Sequence, residues 1–268
     1  MAFTAPHAPY QAPQASLDTY KHIADPNRRA YAAMVTAMDN EIGKVIEALE
    51  QRKMRDNTLI LFQSDNGGPR SAKFTGEVDT SKGTIPADNG PYRDGKATLY
   101  EGGTRVVALA NWPGHIKPGT VVDQPIHMVD MYPTLAGLAG ASLAKTKPLD
   151  GLDVWATLSE GQPSPRREVV YDLEPFRGAV RQGEWKLVWK ATLPSSVELF
   201  NLAQDPSEQT NLATQHPQKV AELQQRIEAL AGEAVQPLLL REAFRTTWSV
   251  LTATVALPTE EKALEMEP

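Results

Sequence analysis

Asp65 and Asn66 open an Asp-Asn-Gly-Gly run directly after the apolar stretch Thr58–Phe62. Oxygen-bearing side chains at the C-terminal end of a strand lie where open α/β sheets receive ligands. The same four residues also make an ordinary turn. His7, between Pro6 and Pro9, is either an exposed residue near the chain start or an imidazole held on a stiff segment, and imidazole is the side chain suited to proton transfer near neutral pH. Lys96 is by default a solvated loop lysine. His127 and Asp130 are three apart at a helix start, where Asp130 can cap the helix or join His127 in a small metal site. Glu101 and Arg105 read as a structural ion pair around Gly102-Gly103, and Ser164-Pro165-Arg166 reads as a turn.

The elements that must position these residues follow from the hydrophobic pattern. Residues 1–24 are Pro- and Ala-rich and read as extended. Asp25-Pro26 is a helix start, and Tyr31, Met34, Val35, Met38, Ile42, Val45, Ile46 and Leu49 recur at helical spacing, predicting a helix over 26–53. Thr58–Phe62 is continuously apolar, the pattern of a strand buried on both faces of a parallel sheet. Residues 69–98 read as a long functional loop, Thr104–Leu109 as the next strand, and Met128–Ala139 as a helix closed by Gly140. After a linker over 141–165, the runs Glu168–Leu173, Gly178–Gln182 and Trp185–Lys190, with Gly183-Glu184 as a hairpin turn, predict an antiparallel sheet. Glu198–Pro206 reads as a last strand and turn, Lys219–Ala231 as an amphipathic helix, 237–257 as an apolar stretch, and 260–268 as a frayed end.

Composition bounds the function. The chain has 268 residues, 41% apolar and 22% charged, which suits one large domain or one and a half. There is no cysteine, so disulfides, thiolate metal sites and a cysteine nucleophile are excluded within these residues. With 27 basic and 33 acidic residues the formal charge is −6, which argues against a nucleic-acid partner. No apolar stretch approaches the ~20 residues of a membrane span.

Five stretches, in order, resemble the sulfatases of the arylsulfatase type, in the alkaline-phosphatase-like superfamily. They are Phe3–Pro9, Ser64–Gly68, Gly95-Lys96 with Tyr100–Arg105, Asp130–Leu135, and Glu198–Pro206. Pro148–Gly151 and Trp185–Val188 are softer matches. The resemblance implies that Asp65 and Asn66 bind a divalent metal, Ca²⁺ or Mg²⁺ on such hard oxygen ligands, with Zn²⁺ or Mn²⁺ expected if histidines such as His127 are recruited. It implies that His7 faces the leaving oxygen of the ester and that Lys96 contacts the sulfate. The family's first strand with its Asp pair, its formylglycine motif and its Lys-x-His pair have no counterpart here, so the resemblance is to the C-terminal portion of a sulfatase.

The expected fold is therefore α/β: a truncated alkaline-phosphatase-like mixed sheet with flanking helices over 1–140, a linker over 141–165, a small antiparallel sheet packed with a helix over 166–235, and a tail over 236–268. The expected function is metal-dependent hydrolysis of sulfate or phosphate esters, phosphodi- and triesters included, by a metal-activated water in place of formylglycine. The alternatives are an inactive fragment or binding module, and one half of a split sulfatase completed by another chain. An uncovered sheet edge predicts a homo-oligomer, most simply a dimer. The start of the chain lacks a signal-peptide pattern, giving a cytoplasmic expectation, while full-length sulfatases are often periplasmic or secreted.

Overall fold

The computed structural model describes residues 1–70, 83–174, 176–191 and 194–234. The apolar stretch over 237–257 and the charged end over 260–268 lie outside the described residues. By contact density the chain divides into two compact units, Met1–Ile227 and Glu228–Pro268.

The segment expected to be extended carries a short helix, α1 (Gln14–Thr19). The long helix α2 runs Pro26–Gln51, with Pro26 in its first turn and the Asp25 side chain accepting from the amide of Arg28. Strand β1 (Ile60–Gln63) follows. Its pairing corrects the expectation of a buried parallel strand. It lies antiparallel to β2 (Ala108–Asn111), in register Ile60 to Asn111, and the two strands form a sheet of their own. Leu61 is 37% and Leu109 64% exposed. A continuous apolar run does not say how many faces are covered, and among the described residues this pair is not layered on both.

Strand β2 also begins later than the pattern of 104–109 suggests. Glu101–Thr104 instead form one helical turn, α3, with Glu101, Gly102 and Gly103 all buried. Met128–Asp130 form a 3-10 turn leading into α4 (Met131–Leu138). The segment read as a linker contains α5 (Trp155–Glu160), which ends on Gly161 in the left-handed region, φ 71°.

Four strands then form an antiparallel meander: β3 (Glu168–Glu174), β4 (Arg177–Gln182), β5 (Trp185–Lys190) and β6 (Ser196–Asn201). The β4–β5 turn is two residues long, with Gly183 at φ 58°, as such hairpins require. A register shift falls between Tyr171 and Glu174 on β3. Helix α6 runs Pro217–Glu233 and buries Leu223 and Ile227.

The main core joins the sheet to α3. Leu99 and Tyr100 pack with Ala179, Val188, Phe200 and Leu202, and Tyr171 lies against them. Each such large apolar side chain stabilises the fold by ~1.5–3 kcal/mol. This cluster fixes α3, and α3 in turn fixes the loops that carry the candidate site. No helix among the described residues is long and apolar enough to cross a membrane.

Candidate functional site

The loop after β1 is held to two other loops through glycine backbone. The amide of Ser64 donates to Val107 O at 3.0 Å and that of Gly67 to Gly103 O at 2.9 Å. A Cβ on Gly67 would lie 1.8 Å from Gly102 O, one on Gly102 2.3 Å from Arg93 O, and one on Gly103 2.5 Å from Gly95 O. No side chain fits at any of these contacts. Gly67 and the Gly102-Gly103 pair are thus explained by close backbone approach.

Asn89 joins the loops on the other side. Its Oδ1 accepts from Gly68 N at 2.8 Å, and its Nδ2 donates to Gly68 O at 3.0 Å and Asp94 O at 2.8 Å. The Lys96 amide also donates to Gly68 O, at 3.1 Å. Two residues beside Lys96 adopt left-handed backbone without being glycine: Asp94 at φ 61° and Ala97 at φ 69°. Such conformations cost ~1–3 kcal/mol each and persist where the surroundings over-determine them.

The structure brings His7 and Lys96 together. Nζ of Lys96 lies 3.2 Å from Nε2 of His7, and Nδ1 of His7 lies 2.7 Å from Ala8 O. A carbonyl can only accept, so the proton is on Nδ1 and Nε2 accepts from the ammonium. In this tautomer the Nε2 lone pair of His7 is directed at a cation.

Asp65 and Asn66 line a cleft of about 1000 Å³ together with Thr98, Arg105, His127 and Arg177, while His7 and Lys96 lie outside that lining. One carboxylate and one amide oxygen suit a hard cation by their chemistry. They are too few alone for the 6–8 oxygens of a Ca²⁺ shell, and no group of three or more His, Asp or Glu is placed to hold a metal among the described residues. Asp65 and Asn66 therefore fit a metal as part of a shell.

His127 and Asp130 do have the spacing of a cap. The His127 amide donates to Asp130 Oδ2 at 2.8 Å, and Nδ1 of His127 accepts from Val129 N at 3.2 Å. The carboxylate of Asp130 is buried and engaged by Arg166, whose Nε meets Oδ2 at 2.7 Å while Nη2 bonds to Oδ1, and Leu152 N adds a 2.8 Å bond. Burial alone would push this carboxyl up, but the Arg166 hydrogen bonds and the Leu152 and His127 amides outweigh it and hold the carboxyl below its usual range. This occupancy by Arg166 gives Asp130 a structural role in place of metal ligation. It also shows what the turn reading of Ser164-Pro165-Arg166 missed. Ser164 does make the turn, accepting from Arg166 N at 3.1 Å, but the Arg166 side chain anchors Asp130.

Sequence reasoning also missed a buried ionic cluster beneath α3. Lys186 is fully buried on β5, with Nζ 2.8 Å from Glu101 and 2.9 Å from Glu208. The Glu101–Arg105 pair that the sequence suggested is looser, at 3.9 Å. Glu208 Oε2 accepts from the Glu101 amide at 2.6 Å. Burial pushes the Glu208 carboxyl up, against the lowering pull of Lys186 and of that amide. Nearby, Arg93 stacks on the Tyr100 ring at 3.8 Å and donates to Glu198 and to Glu208 O, both at 3.1 Å. The available sequence signal was a lysine inside the apolar run Trp185–Trp189 facing a Glu-Gly-Gly.

Comparisons with known proteins agree with this architecture. Residues 1–141 match the family described as Sulfatase, and residues 92–233 match N-sulphoglucosamine sulphohydrolase, C-terminal. Arylsulfatase J of Mus musculus is 34% identical over 202 residues, covering 74% of this chain and 32% of that protein. N-acetylgalactosamine-6-sulfatase of Homo sapiens is 36% identical over 162 residues, covering 60% and 28% respectively. The crystal structure of Ps i-CgsB superposes with a TM-score of 0.77 at 29% identity, covering 99% of this chain and 56% of that one. The fold is of the alkaline-phosphatase-like class. The chain belongs to the sulfatase family. The chain spans 32% and 28% of the length of the mouse and human relatives. Formylglycine is the expected nucleophile in this family, which corrects its exclusion on sequence grounds. The missing cysteine excludes it only from these 268 residues.

Proposed function

We propose that these residues form the leaving-group, sulfate and part of the metal side of a hydrolase of sulfate esters. The observation that carries this reading is the contact of Lys96 Nζ with His7 Nε2 at 3.2 Å, on a Lys96 loop bonded through Gly68 to the Asp65-Asn66 segment. An ammonium beside an imidazole matches the needs of the reaction. Lys96 holds a non-bridging oxygen electrostatically, and His7, once Nε2 has taken a proton from solvent, gives that proton to the ester's leaving oxygen as its bond to sulfur breaks. Asp65 and Asn66 hold a divalent cation, which when bound supplies charge neutralisation at the tetrahedral centre.

Two relatives carry names that guide the choice of substrate: the N-acetylgalactosamine-6-sulfatase, and BT4656, solved in complex with D-glucosamine-2-N,6-O-disulfate and 25% identical to this chain. A sulfated amino sugar is thus the first natural substrate to test, beside a chromogenic aryl sulfate. Hydrolysis by the chain alone, stopped by chelation and by Asp65→Ala, supports the narrower form in which a metal-activated water replaces formylglycine. A matched aryl phosphate decides whether phosphate esters are also cleaved. Activity that survives both chelation and Asp65→Ala overturns the metal role.

The exposed apolar side chains Val107 and Leu109 on one face of the β1–β2 pair, with Leu61 on the other, support self-association through this pair, most simply as a homodimer. A monomer by light scattering at working concentration counts against that.

A further inference from the structure

We propose that Arg177, on β4, is a positioning residue that sets the Lys96 loop in its working conformation. This rests on the assignment of Lys96 and His7 to the site. Lys96 is followed by Ala97 at φ 69°, a left-handed alanine that needs external support. That support comes from 80 positions away, where Nη1 of Arg177 donates to Ala97 O at 2.7 Å.

The rest of the guanidinium is committed so as to aim this one bond. Its Nε meets Glu174 Oε2 at 2.9 Å, and its Nη2 meets Glu174 Oε1 at 2.8 Å and Asp172 Oδ2 at 2.9 Å. Three of the planar fork's directions are thus fixed by carboxylates, leaving Nη1 for the loop carbonyl. A lysine has no such fork and cannot make the same set of bonds. The Arg177 side chain is 31% exposed and those of Asp172 and Glu174 53% and 46%, so solvent screens the attraction, while the bidentate Glu174 contact holds the fork in one orientation. Asp172 is itself held at φ 28°, beside the register shift of β3. A strained residue and two carboxylates gathered on one half-buried arginine act on what that arginine touches, which is the residue after Lys96.

The test reads the imidazole of His7 in the full chain, by ¹⁵N resonances of its ring at about pH 8, above the usual histidine titration. In the wild type the two ring nitrogens are well separated, with the proton on Nδ1. Arg177→Ala is expected to narrow that separation as Lys96 withdraws from Nε2, while the His115 and His216 signals stay in place. Arg177→Lys is expected not to restore it. Asp172→Asn with Glu174→Gln leaves the arginine but frees its aim, and is expected to move the His7 signals in the same direction. This double variant carries the test if Arg177→Ala fails to fold. Unchanged His7 signals in a folded Arg177→Ala chain, or in the double variant, overturn the proposal. Hydrolysis is not part of the readout. A failed ester assay with shifted His7 signals counts against the sulfatase site alone, and the converse against Arg177 alone.

Discussion

Nε2 of His7 and Nζ of Lys96 meet at 3.2 Å across 89 positions of sequence. The contact joins a segment at the start of the chain to a loop built on glycine backbone. Its chemistry makes a direct prediction. If the proposed hydrolysis holds, His7→Ala is expected to lower kcat/KM for an aryl sulfate by about 10²–10⁴-fold, the usual contribution of a positioned acid or base. Under the same proposal Lys96→Met is expected to raise KM as well, because it removes the charge assigned to the bound anion. Rates in either variant equal to wild type remove that residue from the site.

The pairing of Asp130 with Arg166 predicts a structural phenotype. Arg166→Ala leaves a buried carboxylate with two amide donors and no cation, and is expected to cost about 3–5 kcal/mol in urea unfolding. A loss under 1 kcal/mol would show that water replaces the guanidinium without penalty.

Two of the buried carboxyls, Asp130 and Glu208, predict opposite pH effects. The Asp130 carboxyl is held low in the folded chain, so its stabilisation is present above the unfolded value of about 4 and is lost as pH falls through the folded one. The Glu208 carboxyl is raised. Its contribution is present below about 4.3 and is lost as pH rises through its folded value. The stability of Glu208→Gln relative to wild type should therefore improve as pH rises from acid toward neutral. A constant gap between the two unfolding midpoints would show that Glu208 does not titrate abnormally.

Gly102→Ala sets a Cβ 2.3 Å from a backbone oxygen. The neighbouring atoms are main chain and cannot swing aside, so the whole loop must shift. The expected result is a lowered melting temperature together with loss of the His7–Lys96 contact. Gly43→Ala, with nothing within 4 Å of the added carbon, is the control and is expected to be neutral or stabilising, since glycine inside a helix costs ~0.5–1 kcal/mol relative to alanine.

Adding Ca²⁺ tests the remaining role. At a hundredfold excess over its dissociation constant a cation raises stability by about 2.7 kcal/mol, and Asp65→Ala should abolish the rise. An equal rise in both proteins would place the ion elsewhere.

Local pattern carried a good part of the fold. The α2 helix over 26–53 and the hairpin around Gly183-Glu184 depend on neighbours in sequence, and both stand almost as the spacing predicts. The strand at 60–63 was legible but its environment was not, because apolar residues announce burial without naming what covers them. The resemblance pointed to His7, Lys96, Asp65 and Asn66, and the structure brings the first two into contact. The pairs that hold the scaffold escaped notice for one reason. Arg166 with Asp130, Lys186 with Glu101, and Arg177 with Ala97 are separated by 36, 85 and 80 positions. A charged residue shows in its own neighbourhood only that it is charged. α1 and the α3 turn were missed because proline- and glycine-rich segments look irregular until tertiary contacts hold them.

The glycine contacts at 67, 95, 102 and 103 carry a mechanical consequence. Backbone resting on backbone has no rotamer to absorb a push. The three loops are therefore expected to shift together rather than one at a time, the Asp65 end with the Lys96 end.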